Sequence, residues 1–506
     1  MKISGFGGYP SIDSNLEVLE KIAKLQEFLA SKKPFIARGN GRSYGDSSLS
    51  KNILLCKPYD EIHSFCQDCG ILHAQCGVML DDILDFSMPK GFFLHVTPGT
   101  QYITLGGAIA SNVHGKNHHH NNYSQIEELD SKANTKINKN ILCKSCGQAL
   151  NCVELIKGGN FIESVLNFSL MLPNGDIMQC SRDLNSDLFY ATFGGMGLTG
   201  IILEARIRLR KVSSSKICQT TIKTNNLSNT MEYLESHKQA PYAVAWIDSL
   251  AKDKNLGRGI VSYGDFALDS DFNYNDKRQN QITSNIHTIE DKKPKSNQKS
   301  NEQYMPQYNI KQKAHYKAKL KIPFYLPNST LNPFSVGIFN KLYYSRAKNG
   351  QKLVYFKHFF YPLDSILSWN KIYGRNGFLQ YQIIIPKDST QSLHDILNLI
   401  AESKQGSFLN VLKLYGKEDS SFLCFPLEGY SLALDFKNTP SIFGLLDRLD
   451  EIVTKCGGRI YLTKDSRMSK HIFDISYKRA NEFRELRKDY GLDSKIESLQ
   501  SKRLGI

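Results

Sequence analysis

The sequence predicts an α+β protein of two domains. Three observations carry that expectation. The chain has 506 residues, more than one core usually organises. Short apolar strands alternate with glycine-rich loops over residues 1–213. Between residues 378 and 463 the elements follow the order β-α-β-β-α-β, that of a split-βαβ, ferredoxin-like unit in an antiparallel sheet.

Taken in order, Ser14-Asn15-Leu16-Glu17 reads as a capping box opening a helix with Val18, Ile22, Leu25 and Leu29 on one face. Pro34 stops that helix, and Phe35–Arg38 reads as a strand leading into a glycine loop. Strands are expected at 53–57, 71–76 and 92–96. Residues 118–157 and 268–321 are poor in apolar side chains. Such segments bury too little surface to offset chain entropy, so both read as mobile insertions. Further on, strands at 378–386, 407–416, 430–436 and 459–463 alternate with helices at 391–402 and 440–456. Strand alternation puts Gln380 and Gln382 on one face, and likewise Ser431, Ala433 and Asp435. Leu432, Leu434 and Phe436 point the other way, toward the helices. One face of this sheet is therefore polar and small-chained, as a ligand-facing wall is.

Charge and cysteine content narrow the classes. A formal charge of +15 invites a nucleic-acid reading. Much of the excess sits in residues 271–321, eleven Lys/Arg against five Asp/Glu, and no nucleic-acid-binding pattern accompanies it. Nucleic acid is therefore not the expected partner. No apolar run has transmembrane length, and the first fourteen residues lack a hydrophobic signal region. The expected compartment is the cytoplasm, with peripheral contact to the inner membrane left open. Eleven scattered cysteines suit free thiols in a reducing compartment. Cys143-x-x-Cys146, with Cys152 and His118–His120, has a metal flavour. A lone CxxC without a second matching pair is not a ligand set, and no metal is assigned.

The run Arg38-Gly39-Asn40-Gly41-Arg42-Ser43-Tyr44-Gly45 fits neither the P-loop nor the GxGxxG spacing. Alone it is as compatible with a surface turn as with a ligand loop. Two more segments change the balance. Residues 97–117 hold Pro98-Gly99-Thr100, then Gly106-Gly107 before the small residues Ala108 to Ser111, then His114-Gly115-Lys116. Residues 193–202 hold Gly194, Gly195, Gly197 and Gly200 ahead of a β-branched strand. Small residues let backbone N–H groups approach a pyrophosphate, and such amide nests bind anions without a cationic side chain. Three loops of this kind point to a large ligand threaded between subdomains.

The stretches "ARGNGRSYGD", "PGTQYITLGGAIASNVHGKNHH", "DLFYATFGGMGLTGII" and "YLTKDSR" occur in that order, with "VAWIDS", "HFFYPLD" and "GFLQYQ". Together they make the chain resemble the vanillyl-alcohol-oxidase-type (PCMH-type) FAD-binding oxidoreductases from about residue 5 to the C-terminus. The resemblance implies a discontinuous FAD-binding domain, residues 1–213 and 459–506, around a substrate domain at 214–458. It assigns FAD to Arg38 through Gly45, to Pro98, Gly99 and Thr100, and to Gly106, Gly107, Ala110 and Ser111. It adds His114, Gly115, Asn117 and His118, then Gly195, Gly197, Gly200 and Ile201. Lys464 takes the place of the family's catalytic lysine, a preorganised cation for the charge that develops on a reduced flavin. The alternative for Lys464 is a surface lysine paired with Asp465. His114 matches a histidine near the flavin, catalytic or orienting. Tyr44, Lys116, Tyr361, Gln380, Gln382, Lys413 and Ser431 match substrate-pocket positions. Ser431 and Ala433 stand where mycobacterial members carry Asn and Cys, a departure in pocket lining.

Relatives that tether FAD do so through a histidine at the position of Arg42; arginine cannot form that bond, so non-covalent FAD is implied. The implied reaction oxidises the C2' hydroxyl of a polyprenylphosphoryl-β-D-ribose to a ketone in cell-envelope arabinose precursor synthesis. An NADH-dependent short-chain reductase is the implied partner that takes up the keto product. The basic, aromatic-interleaved segment 309–327 could lie on an anionic membrane or be a solvated loop. Two other readings stay open: a soluble aldonolactone or alditol oxidase with oxygen as acceptor, and a non-catalytic basic nucleic-acid-binding protein.

Overall fold

Runs of β-branched and aromatic residues build two large sheets in the computed structural model. The structure describes residues 1–30, 33–120, 143, 145–146, 158–268 and 320–506. Most of both expected insertions, with Cys152 and residues 309–319, lies outside the described residues.

The first sheet orders its strands Ile177–Ser181, Val165–Met171, Ile201–Lys211, Ile71–Gln75 and Ile62–Phe65, with Phe92–Leu94 beside the far end of Ile201–Lys211. A parallel three-stranded sheet, Asn15–Val18, Asn52–Leu55 and Ile36–Arg38, stands next to it in sequence and delivers the chain to the Gly39 loop. The expected helix start at Ser14 is thus corrected: Asn15–Val18 is a strand, and the helix runs Ile22–Ala30. The Ser14 hydroxyl donates to the Ser50 carbonyl at 2.7 Å instead of capping a helix. Pairing with Asn52–Leu55 supplies hydrogen bonds that a local cap cannot match.

The second sheet has eight strands, all neighbours antiparallel. Its order is Gly350–Tyr355, Lys216–Thr224, Gly259–Phe266, Tyr242–Ile247, Asn410–Tyr415, Gly429–Lys437, Phe378–Pro386 and Arg459–Ile460. The last four are the split-βαβ strands, with Gly429–Lys437 inserted between Asn410–Tyr415 and Phe378–Pro386. Helices Thr390–Ser403 and Pro440–Lys455 bury apolar stripes at helical spacing, Leu393, Ile396, Leu397 and Ile400 in one and Ile442, Leu445, Leu446 and Leu449 in the other. They share one core with Leu432, Leu434 and Phe436. The opposite face is left free to receive a ligand. Residues 459–463 were expected to open the returning FAD-binding segment, yet Arg459–Ile460 pairs with Ile383 and Ile384 as an edge strand of this second sheet. The chain crosses over just afterwards, where the Tyr44 N–H donates to the Thr463 carbonyl at 3.0 Å.

Short polar contacts join the two halves. Tyr361 and Thr97 share a hydroxyl hydrogen bond of 2.6 Å. Asp364 accepts from the Thr100 hydroxyl and the Gln101 N–H, each at 2.8 Å. No helix among the described residues is long and apolar enough to cross a membrane.

Candidate active site

The three glycine loops and the polar face of the second sheet enclose one cavity of about 470 Å³. The Arg38–Tyr44 run, Pro98, Gly99, Thr100, Gly106, Gly107, Ala110, Ser111, Gly197 and Gly200 line one end. Gln380, Gln382, Lys413 and Ser431 line the other, and His114, Lys116 and Lys464 also face the space.

The loop end fits a dinucleotide pyrophosphate. Among the described residues, the N–H groups of Asn40, Gly41, Arg42 and Ser43 meet no backbone acceptor in the protein. Half-buried amides of this kind require an external partner. A Cβ added to Gly99 would meet nothing within 4 Å, so backbone is bared to the cavity there. Gly41 has φ +63°, and a Cβ on it would lie 2.3 Å from the Arg38 guanidinium. Arg38 in turn donates to the Ser4 carbonyl at 2.7 Å and to the Ser48 hydroxyl at 3.0 Å, which fixes the loop's base. Arg42 stacks over Phe6, its guanidinium carbon 4.8 Å from the ring centre.

Several expected contacts lie off the cavity wall. A Cβ on Gly45 would sit 1.8 Å from the Asp465 carbonyl oxygen. This glycine lets its loop abut the Lys464 segment and does not face the ligand space. Gly115 packs against the Thr97 carbonyl and Gly195 against that of Ala191. The Asn117 amide donates to the His95 carbonyl at 2.8 Å, and His118 Nδ1 accepts from the Gly416 N–H at 3.1 Å. Ile201 belongs to the core, and Tyr361 is buried with its hydroxyl on Thr97. These residues hold the wall from behind.

Where the two ends meet, Lys464 stands with its ammonium 3.9 Å from the centre of the Tyr44 ring. The expected alternative, a pair with Asp465, is not formed. Asp465 is held by Arg503 at 2.9 Å and accepts the Arg467 and Met468 N–H groups. Arg503 also bridges to Asp46 at 2.8 Å, so the glycine loop and the Lys464 segment share one buried clamp. Lys464, Lys413 and Lys116 are half-buried, and what remains exposed faces the cavity. Burial pulls Lys464 down to about 7, with Asp435 opposing and Lys413 adding to the shift. Burial likewise brings Lys413 to about 8, and burial with Lys413 brings Lys116 to about 7. The Lys116 ammonium donates to the Phe360 carbonyl at 3.0 Å. Neither Lys413 nor Lys464 has a carboxylate at ion-pair distance among the described residues.

The sheet face is set by register. Gln380 lies opposite Asp435, Gln382 opposite Ala433, and Lys413 opposite Ser431. Gln382 contacts His114 Nε2 at 3.0 Å and the Ser431 hydroxyl at 3.4 Å. Burial first, then the neighbouring Lys413, hold His114 well below its ordinary value, so the ring is neutral. With the Gln382 amide donating, the His114 proton sits on Nδ1, and this ring orients Gln382. Asp435 was seen in the sequence only as a face-sharing residue. Its Oδ1 accepts from Gln380 at 2.5 Å, its Oδ2 has no partner, and burial raises it to about 7 against the pull of Gln380 and Lys464. Gln219, Val244, Trp246 and Ser262 extend the wall from neighbouring strands. Period-two alternation in those strands was the available signal.

A family description, the FAD binding domain, matches residues 17–130. With the glycine-lined cavity and the lysine at its junction, this match makes the chain an FAD-dependent oxidoreductase with a PCMH-type FAD-binding domain. Among named relatives it is similar to decaprenylphosphoryl-beta-D-ribose oxidase of Mycolicibacterium smegmatis, 29% identical over 476 residues, which is 93% of this chain and 88% of that one. It is 25% identical over 441 residues to an uncharacterized protein in the mprA 5' region of Streptomyces coelicolor, covering 85% of this chain and all of that one. Cytokinin dehydrogenase 3 of Arabidopsis thaliana shares 49% identity over 51 residues, 10% of each chain.

Proposed function

We propose that this enzyme oxidises a hydroxyl of a polyprenyl-phosphate-linked pentose to a ketone, and that the hydroxyl is C2' of a β-D-ribose. The observation that carries the reading is the pair of lysines, Lys413 and Lys464, which face a cavity continuous with the glycine loops and have no carboxylate at ion-pair distance among the described residues. Buried ammonium groups call for an anion, and a phosphodiester between sugar and lipid supplies one. Similarity along 93% of the chain to a decaprenylphosphoryl-ribose oxidase supports the same substrate class.

FAD, held non-covalently, supplies the acceptor for the hydride leaving the sugar carbon. The Asn40–Ser43 amides and Gly99 would hold its pyrophosphate, and Arg42 in place of histidine leaves no tether. Gln380, Gln382 and Ser431 present amide and hydroxyl groups to the sugar. Lys413 and Lys116 bind the phosphodiester. Lys464, fixed by the Asp46–Arg503–Asp465 clamp and drawn down to about 7, takes up the hydroxyl proton at Nζ as the hydride leaves the sugar carbon. Trp246 and Trp369 add aromatic surface to the cavity wall.

The lipid tail needs an exit toward a bilayer. Tyr343 lines the cavity and is 48% exposed. It sits on the Pro333–Arg346 helix, which bares Phe334, Ile338, Phe339 and Leu342. This supports peripheral attachment to the inner membrane, where an NADH-dependent short-chain reductase would collect the ketone. Co-sedimentation with anionic vesicles should fall when Phe334 and Leu342 are changed to Ser; unchanged sedimentation would refute the attachment.

The test of function is anaerobic bleaching of the flavin absorbance. Polyprenylphosphoryl ribose should bleach it; bleaching only by free aldonolactones or alditols, with peroxide released in air, would establish the soluble-oxidase reading instead. Failure of every pentose would refute the proposed substrate class.

A further inference from the structure

The cysteine pair set aside in the sequence has a partner. Cys66-Gln67-Asp68-Cys69-Gly70 and Cys143-Lys144-Ser145-Cys146-Gly147 share the pattern Cys-x-x-Cys-Gly. The first is the tight turn between strands Ile62–Phe65 and Ile71–Gln75. Its closure rests on the Gly70 N–H donating to the Cys66 carbonyl at 2.8 Å and on Gly70 at φ +71°. The fold sets the second pair against this turn. The Sγ atoms of Cys66 and Cys143 are 3.7 Å apart, those of Cys69 and Cys146 are 3.6 Å apart, and all four lie within 4.8 Å of one another.

Those separations have a chemical meaning. Four thiolates about 2.3 Å from a tetrahedral zinc stand about 3.8 Å from each other. Disulfide sulfurs would be about 2.05 Å apart. The Ser145 and Cys146 N–H groups are aimed at the Cys143 sulfur, as donors that stabilise a metal-bound thiolate. Ser145 also donates to Asp68, a second link between the turns. We infer that Cys66, Cys69, Cys143 and Cys146 form a structural four-thiolate zinc site separate from the catalytic cavity.

None of the four cysteines lines that cavity, so the site acts on architecture. His120 and Gly158, on either side of the segment that carries Cys143 and Cys146, both lie beside Asn117: the His120 N–H donates to the Asn117 carbonyl at 3.1 Å, and a Cβ on Gly158 would lie 1.8 Å from that oxygen. The excursion between these points has little apolar content, and a metal replaces the core it cannot build. The ion ties Cys143 and Cys146 to the Cys66–Gly70 turn of the first sheet.

The test is metal analysis of the full-length holoenzyme purified under reducing conditions without chelator. The expected result is roughly one zinc per chain. Cys66→Ser/Cys69→Ser and Cys143→Ser/Cys146→Ser should each lose it, and Cys218→Ser, on another strand, should keep it. X-ray absorption at the zinc edge of the unmodified protein should give four sulfurs at about 2.3 Å, a readout that needs no variant to fold. Absence of stoichiometric zinc, zinc retained by both double variants, nitrogen or oxygen in the coordination shell, iron in place of zinc, or disulfides joining the two turns would each overturn the assignment.

Discussion

Lys464 owes its place to residues that never touch the ligand space. Gly45 admits the Asp465 carbonyl, and Arg503 pins Asp465 and Asp46 together. Lys464→Ala should therefore leave FAD bound while turnover falls by about 10²–10³-fold or more, as loss of a preorganised charge does; flavin absorbance and turnover on one sample check this. Gly41→Val should lower the FAD content of purified protein, because a side chain at φ +63° also collides with Arg38. Normal flavin content in that variant would contradict the role given to the loop. The sequence singled these residues out through three glycine-rich loops taken together and through the motif that holds Lys464. Asp435 was not, since an acid on a strand face reads alike whether it meets water or Gln380. Cys66 and Cys69 were missed for a related reason. A two-residue spacing marks one turn, while the folded chain decides which turn it faces.

At the scale of elements, residues 378–456 read from their sequence to within three residues at each boundary, because their strands alternate and both helices carry an apolar stripe. Leu432 lies at the centre of that pattern, fully buried between sheet and helices. Leu432→Ala should cost about 2–5 kcal/mol of unfolding free energy, measured by urea titration, with the Lys464 chemistry on the opposite face little affected. Residues 14–18 failed as a sequence reading because their hydrogen bonds are non-local. A capping pattern is satisfied within four residues, whereas strand pairing with Asn52–Leu55 is invisible until the chain closes.

For the molecule as a whole, the cavity's charge couples ligand binding to stability. Lys413 releases its proton at about 8 when folded and at the ordinary 10.5 when unfolded. Between those values the unfolded chain binds the extra proton, so the ligand-free protein gains stability as pH rises. Lys413→Met should therefore melt at a higher temperature than the unmodified protein at pH 7, and its advantage should shrink between pH 8 and 10.5. A melting difference independent of pH would refute the burial of that charge. The sequence suggested a ligand between two subdomains; what it could not supply was that both ends open into a single void. That continuity links the two occupants. On the reading proposed above, the coenzyme forms part of the wall that its reactant meets, so the apoprotein should hold a polyprenylphosphoryl sugar less tightly than the flavin-loaded enzyme does.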